Sequence, residues 1–273
     1  MLIQRVVTAL LLLPPLLALI WFGSTAVFYA VLSVIALGIA WEWAALMGLA
    51  SRAGRAAYAT ATALLLTAAW FLREHWLWFA VVSALWWLAA LYVLSGFPEN
   101  FKRQPPVRWQ MALLGQILLL PAMLCLAQLH AMPKPDGALR VRYVLFLVFA
   151  ADVGAYLAGR NLGRRKLAPE ISPGKTVEGA LGGFALCALW ALTAGSYVFA
   201  VDTGAQLAKV LALSLAVAAF SIVGDLTESM FKRLAGVKDS GALLPGHGGL
   251  LDRVDSILAA VPIMALGAYL LAL

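Results

Sequence analysis

The sequence predicts an all-α integral membrane protein with about nine transmembrane helices. Of its 273 residues, 63% are hydrophobic and only 12% are charged. A soluble domain averages roughly 45–50% apolar residues, and stretches of about 20 apolar residues, enough to cross a bilayer core, recur along this chain. Little is left for a soluble domain. We therefore predict one membrane domain, with an N-terminal helical part over residues 1–140 and a C-terminal catalytic part over 141–273.

The predicted spans are apolar around their whole circumference, as helices surrounded by lipid or by other helices should be. They cover residues 4–22, 25–48, 56–72, 76–95, 110–130, 141–159, 178–200, 206–227 and 254–272. The first run is as long as a full span and no clear cleavage site follows it, so we predict a retained helix rather than a signal peptide. Cys125 and Cys187 fall inside spans, and no disulfide is predicted.

The basic residues are distributed unevenly over the predicted loops. The net charge is +7, and nine spans would place 15 of the 20 Lys and Arg residues on one side. Because basic loops stay in the cytoplasm, we predict cytoplasmic loops at 160–178 and 229–253, in the plasma (inner) membrane of a bacterium. Membrane lipid is an expected partner, whereas nucleic acid is not, since no soluble fold remains to read a groove.

Two polar regions precede the eighth span. Asp152 and Tyr156 lie one helical turn apart and share a face, which indicates a polar cavity; a structural Asp paired with a loop arginine is the alternative. Lys175, within 172–179, comes directly before the seventh span, where helix N-terminal amides attract anions. It is predicted either to bind phosphate or to act only as a topology determinant.

A stripe of polar residues begins inside the eighth predicted span and continues to the glycine-rich loop after it. Helical spacing puts Ser221, Asp225, Glu228, Ser229 and Lys232 on one face, which we expect to line a water-filled cavity. Asp252 and Asp255 are three residues apart at the predicted start of the last helix, so both should point the same way. Together with Asp225 they make a hard-oxygen site suited to Mg²⁺. The alternative is a set of helix caps and loop ion pairs.

Residues 229–255 resemble the signature of the phosphatidate cytidylyltransferases, also called CDP-diacylglycerol synthases. The matching positions are Ser229, Lys232, Arg233, Lys238, Asp239, Gly241, Leu244, Pro245, His247, Gly248, Gly249, Asp252, Arg253 and Asp255. The resemblance extends upstream to Asp225 with its neighbours, to Ser172-Pro-Gly-Lys175 and to Asp152-x-Gly-Ala-Tyr156. It covers the chain from about residue 150; the first half matches only as a hydrophobic multi-span region.

The resemblance implies transfer of a cytidylyl group from CTP to phosphatidic acid, giving CDP-diacylglycerol and pyrophosphate. It implies catalytic roles for Asp225, Lys232, Asp252 and Asp255, with the three aspartates holding Mg²⁺ and room left for a second cation. The implied substrate-binding residues are Lys175, Ser229, Arg233, Lys238, Asp239, His247, Gly248, Gly249 and Arg253. Asp152, Tyr156 and Glu228 would support the site, and the family leads us to expect a homodimer.

Several roles stay open at this point. Asp239 either orients Lys238 or Arg233 or reaches the cytosine, and Arg253 either anchors a phosphate or pairs with an acid. His247 is a phosphate donor, a proton relay or a loop hydrogen-bond donor. Two other functions are alternatives: a CTP-dependent lipid kinase of the dolichol or phytol type, and a transporter of an anionic phosphate ester. The long signature disfavours the kinase, and the clustering of charge at one membrane face disfavours the transporter.

Overall fold

The computed structural model describes residues 13–133, 136–243 and 248–273, and consists almost entirely of helices. The predictions for residues 4–12 and for His247 lie outside the described residues. The helices are α1 Leu13–Phe22, α2 Thr25–Leu46, α3 Arg52–Phe71, α4 Trp76–Ser95, α5 Glu99–Arg103, α6 Arg108–His130, α7 Asp136–Leu162, α8 Val177–Trp190, α9 Ser196–Val198, α10 Gly204–Leu234 and α11 Asp255–Leu271. Short 3-10 turns lie at Arg73–His75 and Leu251–Arg253, and a π-helical turn, Ala191–Gly195, joins α8 to α9.

The predicted all-α membrane fold is confirmed, and the count of nine spans is not. Within the described residues, six helical segments are long and apolar enough to cross a bilayer: Thr25–Leu46, Arg73–Ser95, Arg108–His130, Asp136–Leu162, Val177–Val198 and Gly204–Leu234. Two further apolar helices, α1 and α11, are shorter. The chain is therefore a multi-pass membrane protein.

Polar side chains define where several of these helices begin. Ser24 Oγ accepts a hydrogen bond from the Val27 amide at the start of α2. At the start of α10, Thr203 Oγ1 accepts from the Gln206 amide, and the Gln206 side chain accepts from the Thr203 amide. These contacts satisfy amide groups that have no partner inside the helix. The starts of α2 and α10 are thus encoded locally.

The helices are arranged in two groups that share α11. In the C-terminal part, α7 packs along α8, and α10 packs along α11. In the N-terminal part, α2 packs against α3 and α6, and α4 packs against α6. Because α11 also packs against α4 and α6, it joins the two parts into one bundle.

A two-stranded hairpin interrupts the predicted loop between α7 and α8. Strand β1 (Lys166–Ala168) pairs antiparallel with β2 (Ser172–Thr176), a feature that the helical prediction lacks. The Glu178 carboxylate accepts from the Arg164 and Arg165 amides at 3.0 and 3.1 Å, which ties the hairpin to the first turn of α8. Thr176 then caps α8 by accepting from the Gly179 amide. The hairpin is thereby held in a fixed place beside the bundle.

Candidate active site

A cavity of about 390 Å³ opens where α7, α8, α10 and β2 meet. Its polar lining comes from four elements: Asp152, Tyr156 and Arg160 on α7, Lys175 and Thr176 on β2, Ser221 and Asp225 on α10, and Ser256 on α11. The remaining lining residues are small or apolar. The cavity thus brings together residues that the sequence placed in separate polar regions.

An ion pair between Lys175 and Asp225 crosses this cavity. Lys175 Nζ lies 2.5 Å from Asp225 Oδ2, and both side chains keep about a quarter of their surface exposed, 26% and 29%. Ser229 Oγ donates to Asp225 Oδ1 at 3.3 Å. The hairpin delivers Lys175 to this position, because β2 runs directly into the cap of α8. The side chain of Lys175 therefore lies in the cavity, a position that a role as topology determinant alone does not require.

The predicted shared face of Asp152 and Tyr156 is present. Both side chains line the cavity, and Tyr156 Oη accepts a hydrogen bond from Arg160 Nη1 at 2.9 Å. Asp152 forms no ion pair with an arginine among residues 13–133, 136–243 and 248–273. The cavity interpretation of Asp152 is therefore preferred to the structural one.

A second charged cluster lies further along α10, around Lys232. Lys232 Nζ contacts Glu228 Oε2 and lies 2.6 Å from Asp252 Oδ1. Asp252 Oδ2 accepts from the backbone amides of Ser240 and Gly249, both at 3.0 Å. Because Glu228 is only 4% exposed, the cation of Lys232 is needed to offset two buried carboxylates.

The surroundings of Asp252 keep it ionised. Burial by itself raises the pKa of this carboxyl, but hydrogen bonds from Lys232 and the Ser240 amide outweigh burial and hold the pKa at about 2. Hydrogen bonds to the charged form of a carboxyl stabilise that form. Asp252 is thus a fixed anion whose oxygens are already occupied by protein donors.

Asp255 lies next to Asp225 instead, where α10 and α11 approach closely. A Cβ on Gly224 would lie 2.6 Å from the backbone oxygen of Asp255, so only glycine permits this contact. The charges of Asp225 and Asp255 repel each other across the contact. Asp255 Oδ1 accepts from the Ser256 amide at 2.6 Å. The close contact of α10 and α11 therefore brings Asp255 near Asp225, which lines the cavity.

Asp252 and Asp255, which the sequence predicts to point the same way, have different neighbours: Lys232 contacts Asp252, whereas Gly224 contacts the backbone of Asp255. Asp252 belongs to the 3-10 turn Leu251–Arg253, and α11 begins only at Asp255, so the two residues do not share one α-helical face. Along the predicted polar stripe, Asp225 lines the cavity, and Lys232 contacts Glu228 and Asp252. Within the part of the chain that the structure describes, no three Asp, Glu, His or Cys side chains converge as a metal site would require.

The remaining predicted residues lie on or near the loop after α10. Arg233 Nε donates to the Ile171 carbonyl at 3.1 Å, which ties α10 to the hairpin. Lys238 and Asp239 are exposed, and the expected contact of Asp239 with Lys238 or Arg233 is not among the interactions of the described residues. Gly248 adopts a positive φ of 80°. Gly249 is buried against Ser240, and Arg253 is exposed on the 3-10 turn.

Three residues of the site were missed by the sequence prediction. Arg160 lines the cavity, and Ser240 binds Asp252 through its amide. Glu42, on α2, accepts hydrogen bonds from the same loop that carries Ser240. The signal for Glu42 was an acidic residue inside an apolar span, which is costly near a bilayer and indicates function by default. Nothing in the sequence indicated its partner.

These features define a class of protein: a multi-pass membrane protein with a charged cavity suited to phosphate chemistry. Residues 3–271 match the model of the cytidylyltransferase family, and the chain belongs to this family. The phosphatidate cytidylyltransferase of Pseudomonas aeruginosa is 43% identical over 267 residues, covering 97% of this chain and 96% of the relative. That of Haemophilus influenzae is 35% identical over 278 residues, covering 96% of each. That of Staphylococcus haemolyticus is 43% identical over 131 residues, about half of each chain.

Family membership confirms the resemblance carried by residues 229–255. The relatives match over almost the whole chain, including the N-terminal half, where the sequence offered no motif. The chain is therefore a nucleotidyltransferase, and the lipid kinase and transporter alternatives are set aside.

Proposed function

We propose that this protein transfers the cytidylyl group of CTP to phosphatidic acid, giving CDP-diacylglycerol and pyrophosphate. The relatives at 43% and 35% identity carry this substrate in their names. The observation that carries the proposal is the Lys175–Asp225 pair inside a cavity between apolar helices. A cation and a carboxylate held in one cavity suit a reaction between two phosphate-bearing substrates, one of which resides in the membrane.

The reaction is an in-line displacement at phosphorus. A phosphate oxygen of phosphatidic acid attacks the α-phosphorus of CTP and forms the new P–O bond. The bond between the α-phosphorus and the bridging oxygen to the β-phosphorus breaks, and pyrophosphate leaves with the electron pair. Such transfers need positioning and charge neutralisation more than covalent help. Lys175 and Arg160, which line the cavity, would offset the repulsion between the two anionic substrates.

Two carboxylates, those of Asp225 and Asp255, are proposed to hold a magnesium ion. Asp152 and Asp225 line the cavity, and Asp255 lies near Asp225 where α10 and α11 meet. Proteins commonly hold Mg²⁺ through one or two carboxylates, with substrate phosphates and water completing the octahedron. We propose that Asp225 and Asp255 hold Mg²⁺, which when bound would neutralise charge on the α-phosphate and the leaving group. Since protein donors occupy both oxygens of Asp252, we propose that Asp252 fixes the loop instead of coordinating the ion.

The exposed loop after α10 is proposed to meet CTP. Lys238, Asp239 and Arg253 are exposed there, and Gly248 gives the backbone room to approach a phosphate. The loop shares one end of the bundle with the hairpin, through the Arg233–Ile171 contact. We propose that this end faces the cytoplasm, where CTP is available, in the inner membrane. A homodimer is proposed from the family resemblance alone.

Labelled CTP tests the proposed reaction. The purified protein in lipid micelles would receive phosphatidic acid, Mg²⁺ and CTP labelled either at the α- or at the γ-phosphate. We expect α-label in the lipid product and γ-label in pyrophosphate, with Asp225→Asn as the matched low-activity control. Transfer of γ-label to lipid, or no labelled lipid from either substrate, would contradict the proposal.

A further inference from the structure

Glu42 is an acidic residue buried in the N-terminal half of the bundle. It lies on α2, close to the end of that helix at Leu46, and its side chain is 2% exposed. The signature residues all lie beyond residue 150, so they give Glu42 no role. Burying an acid costs free energy unless hydrogen bonds or an ion pair replace its contacts with water. Its contacts therefore indicate why it is there.

Both contacts of Glu42 go to the two ends of one loop. Its Oε2 accepts from the Leu251 amide at 2.8 Å and from Ser240 Oγ at 3.2 Å. Ser240 and Leu251 are also the residues that flank the Asp252 contacts, since the Ser240 amide donates to Asp252 Oδ2 and Leu251 directly precedes Asp252. One oxygen of Glu42 thus joins Ser240 and Leu251, the two ends of the loop. Asp252 also binds this loop, through the Ser240 and Gly249 amides.

The packing around Glu42 is close at both ends of this loop. A Cβ on Gly241 would lie 2.2 Å from Glu42 Oε1, so the backbone of the loop rests directly on the carboxylate. A Cβ on Gly38, one turn earlier on α2, would lie 2.8 Å from Leu250 Cδ2. Both ends of the loop therefore pack directly against the C-terminal part of α2.

We propose that Glu42 is a positioning residue for nucleotidyl transfer, which holds Ser240 and Leu251 so that the loop and Asp252 keep their places beside Lys232. Glu42 acts through these residues and has no contact with the cavity lining. The proposal rests on the proposed function and assigns a task to the N-terminal half within it. Because Oε2 makes both hydrogen bonds while Oε1 has no hydrogen-bond partner among the described residues, an acceptor is required at this position and a charge is not.

Three variants separate these requirements. Glu42→Gln keeps the size and one acceptor oxygen, whereas Glu42→Ala removes the acceptor. Glu74→Gln is the control, because Glu74 is an exposed acid of the N-terminal half in the 3-10 turn Arg73–His75. We expect Glu42→Ala to lose about tenfold or more in kcat/KM for CTP, a loss of loop placement. Glu42→Gln should stay within about threefold of the wild type, as expected when a neutral acceptor suffices, and Glu74→Gln should be unchanged.

Two further measurements keep the proposal separate from a general loss of folding. Hydrogen exchange followed by mass spectrometry should show faster exchange over 240–252 in Glu42→Ala, with exchange in α6 and α7 unchanged. The effects of Glu42→Ala and Ser240→Ala on kcat/KM should be less than additive when combined, because both remove the same contact.

Equal loss in Glu42→Gln and Glu42→Ala would overturn the proposal, since the charge itself would then matter. So would unchanged exchange over 240–252 in Glu42→Ala, or exchange that rises equally throughout the bundle. If the wild type produced no CDP-lipid, the proposed function would fail, but the exchange measurement would still decide whether Glu42 holds the loop.

Discussion

At the scale of single residues, four acids of similar chemistry have four different sets of neighbours. Asp225 is paired with Lys175 in an open cavity, and Asp255 lies near it and forms no ion pair within the described part of the chain. Asp252 is held by Lys232 and two amides, and Glu42 holds the loop. A partly exposed ion pair such as Lys175–Asp225 contributes only about 0–1 kcal/mol to stability. Its position is therefore explained by function more readily than by folding.

Lys175 should be required for activity and dispensable for folding. Lys175→Ala removes the cation that pairs with Asp225, and we expect loss of most cytidylyl transfer with unchanged membrane insertion and little change in Tm. Lys175→Arg should recover part of the activity, because it restores the charge with a different geometry. Transfer assays and thermal unfolding of the purified variants check this. Wild-type activity in Lys175→Ala would leave Lys175 as a topology determinant only.

The three aspartates should separate into two classes. Asp225→Asn and Asp255→Asn remove a proposed Mg²⁺ ligand, so activity should fall about tenfold or more, equivalent to about 1.4 kcal/mol or more in the barrier. Both should raise the Mg²⁺ concentration needed for half-maximal rate while leaving Tm near that of the wild type. Asp252→Asn leaves Lys232 and Glu228 without their partner, and breaking a buried pair costs about 3–5 kcal/mol.

Titration with Mg²⁺ and thermal unfolding of the same three proteins distinguish these classes. Asp252→Asn should show a clear drop in Tm and an unchanged half-maximal Mg²⁺ concentration in whatever activity remains. An identical shift in Mg²⁺ dependence for all three variants would restore Asp252 as a third ligand and contradict the division proposed here.

At the scale of elements, the site depends on how closely α10 and α11 approach. Gly224 permits the contact between the middle of α10 and the first residue of α11, and that contact makes Asp225 and Asp255 neighbours. The hairpin β1–β2 performs a similar task for Lys175, since Glu178 and Thr176 fix its position against α8. The close contact at Gly224 and the short hairpin thus position Asp225, Asp255 and Lys175.

A methyl group at Gly224 should disturb the site. Gly224→Ala would place a Cβ 2.6 Å from the Asp255 backbone oxygen, so α10 and α11 must move apart. Overpacking of this kind typically costs about 1–3 kcal/mol, and we expect lower Tm and activity. Gly204→Ala is the matched control on the same helix, because nothing lies within 4 Å of a Cβ there. Equal behaviour of the two variants would show that the close contact is not needed.

At the scale of the whole molecule, the two ends of the bundle differ in character. At one end, the side chains of Arg140 and Lys209 donate hydrogen bonds to the carbonyls of Leu273 and Leu271. These bonds hold the C-terminal end of α11. At the other end lie the hairpin, the loop after α10 and the cluster around Lys232. The basic residues that predict a cytoplasmic face concentrate at this second end.

Cysteine labelling should place the two ends on opposite sides of the membrane. In a background lacking Cys125 and Cys187, Ala242→Cys reports on the exposed loop after α10 and Asp202→Cys on the exposed turn before α10. We expect an impermeant thiol reagent to label Asp202→Cys in intact spheroplasts and Ala242→Cys only after the cells are opened. Rapid labelling of Ala242→Cys in intact spheroplasts would reverse the proposed orientation.

Much of the molecule could be predicted from local sequence. Runs of apolar residues predicted the positions of helices. For α4, the predicted span 76–95 has the same bounds as the observed helix Trp76–Ser95. The spacing of Asp152 and Tyr156 correctly put both on one face. Helix periodicity is a local property, and so these features required no knowledge of distant partners. The 27-residue signature likewise identified the family without a structure.

The sequence by itself determined the all-α membrane fold, the polar regions and the family, because hydropathy, periodicity and motif spacing all operate over short stretches of chain. Only the tertiary structure placed Asp225 beside Lys175 in the cavity and Asp252 beside Lys232. Asp252 is held by the Ser240 and Gly249 amides, and Glu42 binds a loop about 200 residues further along the chain. The direction in which a carboxylate points depends on its donors, and these donors come together only when the helices pack.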